Sequence, residues 1–249
     1  MNEVLEREFI ERVKRDWEAL KYIEEQTENI CLEAVKHNEY AIYYVKDQTE
    51  SICVEAVKRN GYVLNLVKNQ TEEICMTAVK QDGNALCYVE DQSLDVCLAA
   101  VKQNGLALQF VKDQTESICL EAVKNYGLAL QLVKNQTEKI CIEAVKNNKL
   151  AMEYVKNKNK TLNVCKALND ITYVMSCLDL RRKDHCYIIL NLLIDEADKH
   201  KHIKTLTKII NRFKSKEFFD FYTKHKLWKY VDFSNIKLNN KIIHYSMTM

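Results

Sequence analysis

Apolar residues return along this chain in pairs, four residues apart, inside segments that are themselves repeated. Ile52-Cys53 is followed by Ala56-Val57, and spacings of i, i+1, i+4 and i+5 gather side chains on one side of an α-helix. A second apolar group follows in the same segment, as in Leu128, Ala129, Leu130, Leu132 and Val133, and reads as a second short helix. Each segment therefore predicts a hairpin of two helices. So short a hairpin leaves neither helix more than two to three turns. Helices of that length do not stand alone in water, so stacking of hairpin on hairpin must hold them.

The register of the repeat is strict. Cysteines stand at 31, 53, 75, 97, 119 and 141, a constant step of 22. Gln48 to Asn69 reads QTESICVEAVKRNGYVLNLVKN and Gln114 to Asn135 reads QTESICLEAVKNYGLALQLVKN. A fixed period between 20 and 50 residues marks a solenoid, because one such unit cannot bury its apolar face without neighbours. The step extends backwards, since Val13-Lys14 lies 22 before Val35-Lys36 and Ala19-Leu20 lies 22 before Ala41-Ile42. Forwards, Cys165 comes 24 after Cys141. Regular copies thus occupy residues 26–157, degenerate copies flank them, and the array is expected over residues 4–180. Over residues 181–249 the period is lost, while Ile188, Ile189, Leu192 and Leu193, then Phe218, Phe219 and Tyr222, keep helical spacing. That predicts a helical C-terminal capping domain over the last apolar face. The expected class is all-α, an α-solenoid of 22-residue two-helix repeats with a helical C-terminal cap.

Helix boundaries are also written into the repeat. Asp47, Asn69, Asp113 and Asn135 each precede a glutamate by three, the spacing of reciprocal capping, and are expected as N-caps. Gly61, Gly83, Gly105 and Gly127 share one repeat position after the first helix, where a left-handed residue is expected to end it. Glu39 and Lys149 replace that glycine in the flanking copies, so their turns are expected to be strained or differently built.

Composition supports helix and narrows the compartment. The 249 residues include no proline and four glycines, where average usage gives about 12 and about 17. All-β folds need many turns bearing those residues, which argues against that class. The longest apolar run, Cys186 to Ile194, is interrupted by Asn191 and falls well short of the about 20 residues of a membrane span. The first residues, Met1-Asn2-Glu3-Val4, show no basic-then-apolar leader, so the chain is expected to be cytoplasmic and not secreted, with reduced thiols and no membrane partner. Charge divides along the chain. Residues 1–157 carry 19 Lys+Arg against 26 Asp+Glu, net −7, and residues 158–249 carry 18 against 9, net +9.

Several clusters invite chemistry and are better explained by structure. The cysteines come one per copy, whereas zinc sites are built from close pairs such as C-x-x-C, so they are read as buried packing residues. Asp195, Glu196, Asp198, His200 and His202 could supply two metal ligands at i, i+4 but lack an evident third. Asp184-His185-Cys186 are consecutive and on a helix would not face one another. No phosphate-cradling glycine loop, serine elbow or zinc-protease signature occurs. The expectation is no catalytic residue, no metal, no cofactor and no small-molecule substrate.

Partner recognition is expected where copies differ while the scaffold stays fixed. Those positions are the start of the second helix and the residue three further on. They single out Tyr40, Tyr43, Tyr62, Asn65, Asn84, Gln109 and Gln131, with Tyr44 adding to an aromatic patch at one end of the array. The alternative is nucleic acid, because the basic C-terminal region interleaves cations with rings. Its candidates are Arg181, Arg182, Lys183, Lys214, Lys216, Lys224, Lys226, Trp228 and Lys229.

The phrase Gln70-Thr71-Glu72-Glu73-Ile74-Cys75, continued by Ala78-Val79-Lys80 and Tyr88-Val89, resembles the repeats of domain-of-unknown-function family 4116. That family is known chiefly from mimivirus-like giant viruses of amoebae and from some amoeba-associated bacteria. The resemblance covers residues 4–165, implies a helical repeat, and carries over no catalytic or binding residue. A chain without proline and rich in Lys, Asn and Ile also fits an AT-rich viral genome. The expected function is a non-enzymatic scaffold for protein–protein interaction, viral in origin, acting on a host or viral protein in the host cytoplasm or the virion. RNA binding by the C-terminal domain and a structural role in the virion are the alternatives.

Overall fold

The computed structural model describes residues 2–168, 170–179 and 182–194. The chain divides into two compact units, Met1–Tyr154 and Val155–Met249. No strand occurs among the described residues.

The first unit is a stack of seven hairpins. Its α-helices are α1 (Glu3–Arg15), α2 (Glu28–His37), α3 (Glu50–Arg59), α4 (Glu72–Gln81), α5 (Leu94–Gln103), α6 (Glu116–Asn125) and α7 (Glu138–Asn147). Each is followed by a six-residue 3₁₀ helix: Trp17–Tyr22, Glu39–Tyr44, Gly61–Leu66, Gly83–Tyr88, Gly105–Phe110, Gly127–Leu132 and Lys149–Tyr154. Consecutive α-helices pack on one another, as do consecutive 3₁₀ helices, so the stack has an α face and a 3₁₀ face. The core is the repeat's apolar set. Ile52, Cys53, Ala56 and Val57 from α3, and Val63, Leu64 and Val67 from the following leg, are buried, and the same seven positions are buried in the neighbouring copies. The degenerate first copy keeps this register, with Val13, Ala19, Leu20 and Ile23 buried.

The second helix of the hairpin is 3₁₀, not the α-helix its apolar cluster suggests. Gly61, Leu64 and Val67 are buried at a strict spacing of three, which is the period of a 3₁₀ helix, whose side chains eclipse every third residue. Such runs seldom exceed three or four residues, so packing must sustain these six. The geometry matches the two legs in length. Ten α residues rise about 15 Å and six 3₁₀ residues about 12 Å, which lets so short a repeat close a hairpin.

The N-caps are not the residues expected from sequence. Thr27, Thr71, Thr115 and Thr137, and Ser93 in their place, accept from the amide three residues on, as Ser93 Oγ does from Val96 N at 3.2 Å. Asp47, Asn69, Asp113 and Asn135 lie two residues upstream in the connecting turn, and the glutamate is the first helical residue. The displacement follows from Thr/Ser being as good a cap as Asp/Asn and standing directly before the helix.

The glycines are required for a reason other than left-handed backbone. None has a positive φ. A Cβ at Gly83 would lie 2.5 Å from the Ala100 carbonyl oxygen of the next copy, and one at Gly127 would lie 2.6 Å from that of Ala144. The bend itself is made by the preceding residue, which is extended and does two jobs. Asn60 (φ −149°, ψ 108°) ends α3 with its N–H on the Ala56 carbonyl, and its side chain caps the 3₁₀ helix by accepting from Tyr62 N at 3.0 Å. The turns at Glu39 and Lys149 are built like the rest. Asn38 (φ −151°, ψ 121°) bends the chain before Glu39, and Asn148 (φ −146°, ψ 117°) does so before Lys149.

The second unit begins with a 3₁₀ turn at Asn157–Asn159, then α8 (Leu162–Ala167), α9 (Ile171–Cys177) and α10 (Lys183–Ile194). Thr161 caps α8 through Val164 N at 3.4 Å, and Val164 and Cys165 are buried, which repeats the pattern of Thr137, Ile140 and Cys141 in the copy before. No helix among the described residues is long and apolar enough to cross a membrane.

Candidate interaction face of the array

Residues that are identical from copy to copy are largely consumed in holding the stack. Each opening glutamine clamps two copies together. Gln48 Nε2 donates to the Ile42 carbonyl at 3.2 Å and to the Leu66 carbonyl at 3.0 Å, while its Oε1 accepts from Lys68 N at 2.9 Å. Gln26, Gln92 and Gln114 repeat all three bonds, and Gln70 repeats the two that reach the following copy. A second ladder reads the glycine turns: Gly61 N and Gly83 N donate at 2.7 Å to Gln81 Oε1 and Gln103 Oε1 of the next copy. Asn125 and Asn147 take that place for Gly105 and Gly127. A third ties the cap to the previous helix, Thr49 Oγ1 donating to Glu28 at 2.7 Å and Thr137 Oγ1 to Glu116 at 3.0 Å. Short side chains reaching backbone groups of the adjacent copy satisfy the orphan donors and acceptors that so many helix ends create.

The cysteine ladder belongs to the same interior. Cys31, Cys75, Cys97 and Cys119 are buried and point their thiols at the clamp glutamines, with Sγ to Oε1 distances from 3.6 to 3.8 Å. Burial pushes the Cys31 and Cys53 thiols up to about 11, which leaves them protonated and unreactive at neutral pH. No group of three or more His, Cys, Asp or Glu placed to hold a metal ion occurs among the described residues. Asp195, Glu196, Asp198, His200 and His202 lie outside them. Asp184, His185 and Cys186 do not converge. Asp184 faces outward to Arg182 at 2.8 Å, whereas His185 is buried with Nδ1 accepting from Asp179 N at 2.9 Å. Burial, more than any charge, holds that imidazole below its ordinary range.

The contact positions expected from sequence lie on the 3₁₀ row. The second residue of each α-helix (Asn29, Ser51, Glu73, Asp95, Ser117, Lys139) varies between copies, and so do the second and fifth residues of each 3₁₀ helix, which, three apart, are eclipsed on one side of the leg. Tyr40, Tyr43, Tyr62, Asn65, Gln109 and Gln131 are exposed there. Asn84 is half-buried and accepts from Asn104 Nδ2 at 3.2 Å, which gives it a packing role. Tyr43 is the most open ring among the described residues, 69% exposed.

The aromatic surface is larger than those positions alone indicate. The sixth residue of the 3₁₀ helix contributes Tyr22, Tyr44, Tyr88, Phe110 and Tyr154, interrupted by Leu66 and Leu132. Trp17 and Tyr44 lie 5.9 Å apart by ring centroid, Tyr43 and Tyr44 5.2 Å edge to face, and Tyr62 and Tyr88 5.9 Å edge to face. Lys21 Nζ stands over two of the rings, 4.9 Å from the Tyr22 centroid and 5.8 Å from that of Tyr44. Its partner Glu18, at 3.0 Å, is the main cause of the upward shift of this ammonium. The Tyr88 phenol is also pushed up, chiefly by the neighbouring Cys87, with Tyr62 and Tyr40 adding to it.

Of the basic C-terminal candidates, Arg182 is described and is paired with Asp184, and Lys183 opens α10. Arg181, Lys214, Lys216, Lys224, Lys226, Trp228 and Lys229 lie outside the described residues.

The model of the Domain of unknown function (DUF4116) family matches residues 27–70, 49–94, 71–115, 93–137 and 115–160. Each match spans two consecutive hairpins and each begins one repeat after the last, so the family unit has the register of the fold. The matches together cover more than half of the chain, which therefore belongs to this family of helical-repeat proteins. No curated protein and no solved structure matches it.

Proposed function

We propose that this DUF4116 chain is a non-enzymatic interaction scaffold whose 3₁₀ face binds a protein partner. One observation carries the reading. The glutamines, glycines and cap threonines that recur from copy to copy are engaged between copies, whereas five of the seven tyrosines exposed among the described residues, the residue type most used as interface anchors, lie on the 3₁₀ legs of the first four copies. Tyr40, Tyr43 and Tyr62 form the centre of that surface, with Asn65, Gln109 and Gln131 as adaptable polar contacts further along. The resemblance to repeats of amoebal giant viruses and the proline-free composition support a viral chain acting in the host cytoplasm or the virion on a host or viral protein.

Affinity capture of the intact chain from amoebal lysate, with nuclease present, tests this. A defined protein should be captured by the wild type and lost with a Tyr40→Ala, Tyr43→Ala, Tyr62→Ala variant. Equal capture by both, or none by either, contradicts the reading. A second reading, nucleic-acid binding through residues 181–230, draws on the net charge of +9 over residues 158–249. It requires an affinity that falls steeply as salt rises, because phosphate contacts release counterions. A virion structural subunit assembled through the opposed charges of the two regions would instead form oligomers that salt disperses.

A further inference from the structure

We propose that His185 is a proton-sensitive latch of the second unit: its neutral ring fastens the turn at Leu178 and Asp179 to the start of α10, and mild acid releases it. The inference is independent of the partner-binding reading above.

His185 stands apart by its burial. It is 1% exposed and, cysteines aside, is the one ionisable side chain buried among the described residues. It lies in the first turn of α10 and shares the buried set of the unit with Val164 and Cys165 of α8, Val174 of α9, Leu178, and Cys186 and Ile189 of its own helix. Asp179 is tied twice to the start of that helix. Its N–H donates to His185 Nδ1 at 2.9 Å, and its carbonyl accepts from Arg182 N at 3.0 Å. The Arg182 carbonyl in turn accepts from Cys186 N at 3.1 Å. A ring nitrogen that accepts carries no proton, so the bond to Asp179 fixes the neutral tautomer with its proton on Nε2. Nε2 is itself buried without a hydrogen-bond partner. A second proton has to enter at Nδ1, where it meets the Asp179 N–H, donor against donor. The bond is then lost and the ring becomes a cation that burial penalises.

The surroundings oppose that cation. Burial is the largest influence, and the charges of Arg182 and Lys160 act with it. Asp184 and the Asn157 carbonyl favour the charged ring, but Asp184 faces outward and is paired with Arg182 at 2.8 Å. The described residues of α8 and α9 add no charge to the balance. The N-terminus of α10 contributes the positive end of a helix dipole, which disfavours a cation in the first turn. The folded ring therefore holds a second proton less tightly than an unfolded histidine, whose ordinary value is about 6.5. Below that value the unfolded chain binds the extra proton first. The latch is thus fully closed above about 6.5 and weakens as pH falls from there toward the folded value. The array has no such group, since its one histidine, His37, is exposed.

The test is hydrogen–deuterium exchange of the full chain across the acidic range below neutrality, corrected for the intrinsic exchange rate, with titration of the His185 ring followed by NMR. Protection around Asp179 and the first turn of α10 should fall by up to about tenfold per pH unit below the ordinary histidine value, the limit set by one proton, while protection of α3 to α7 stays constant. In His185→Asn the side-chain oxygen can accept from Asp179 N and gains no proton, so protection should persist and become indifferent to pH. His200, His202, His225 and His244 remain in that variant, so any effect of theirs would survive in it. A wild-type His185 ring that titrates at or above the ordinary value, or the same acid-induced loss in His185→Asn, overturns the inference. If His185→Asn is unprotected already at neutral pH, the wild type decides. Loss of Asp179 amide protection in step with titration of the ring upholds the latch, and loss out of step with it refutes the latch.

Discussion

Replacing Gln48 by methionine keeps the side chain's length and removes its amide. Three bonds vanish: 3.2 Å to the Ile42 carbonyl, 3.0 Å to the Leu66 carbonyl and 2.9 Å from Lys68 N. The two that reach the next copy are worth about 1 kcal/mol each, and the half-buried carbonyls left facing a thioether add a desolvation cost, so the expected loss is about 2 to 3 kcal/mol. For a unit of this size that lowers the melting temperature by about 4 to 12 °C, read by far-UV circular dichroism. Gln48→Glu sharpens the test. At neutral pH its carboxylate would face two carbonyl oxygens, which raises its folded pKa above the unfolded value of about 4.3. The folded state then binds more protons between those two values. The variant should therefore be less stable than Gln48→Met at pH 7, and its deficit against wild type should shrink as pH falls through the raised pKa. A Gln48→Met protein melting within a degree of wild type, or a Gln48→Glu deficit indifferent to pH, would refute the clamp.

Other consequences of the stack can be checked directly. Gly83→Ala should cost about 1 to 3 kcal/mol through contact with the Ala100 carbonyl, and Gly83→Asn should be at least as harmful, whereas a left-handed turn would have tolerated asparagine. Tyr126→Asn should stabilise by about 1 kcal/mol in chemical denaturation, because Tyr126 is the one bend residue of the regular copies without a side-chain cap on its 3₁₀ helix. In native protein at pH 8, a thiol reagent should modify exposed Cys87 promptly and leave Cys31, Cys53, Cys75, Cys97, Cys119 and Cys141 intact until unfolding, as peptide mapping would report.

The array was legible in the sequence because a strict short period admits few structures, and the positions of Ile52, Cys53, Ala56 and Val57 already mark one helix face. Clustering of apolar residues in the second leg suggests α, whereas their spacing specifies 3₁₀. Gly127, Leu130 and Val133 step by three, a signal present in the sequence. The cap is ambiguous in sequence for a local reason, since Thr71 and Asn69 are both good caps and only the start of α4 at Glu72 separates them. The role of the glycines was beyond sequence reasoning, because it depends on how closely Gly83 approaches the Ala100 carbonyl of another copy. The tyrosine face was half visible. Tyr40, Tyr43 and Tyr62 follow from variation between copies, but Tyr88 joins them only through a ring contact with Tyr62 of the preceding copy, and Tyr22 through the Lys21 ammonium it shares with Tyr44.

On the scaffold reading, the ladders run along the two edges where α and 3₁₀ legs meet and the 3₁₀ face carries recognition. A photo-crosslinking residue placed at Tyr43, on the 3₁₀ face, and separately at Ser117, exposed on α6, distinguishes the 3₁₀ face from the α face in intact chain incubated with lysate. The account predicts a discrete crosslinked protein from position 43 and none from position 117. Crosslinking from position 117 alone, or equally from both, would contradict it.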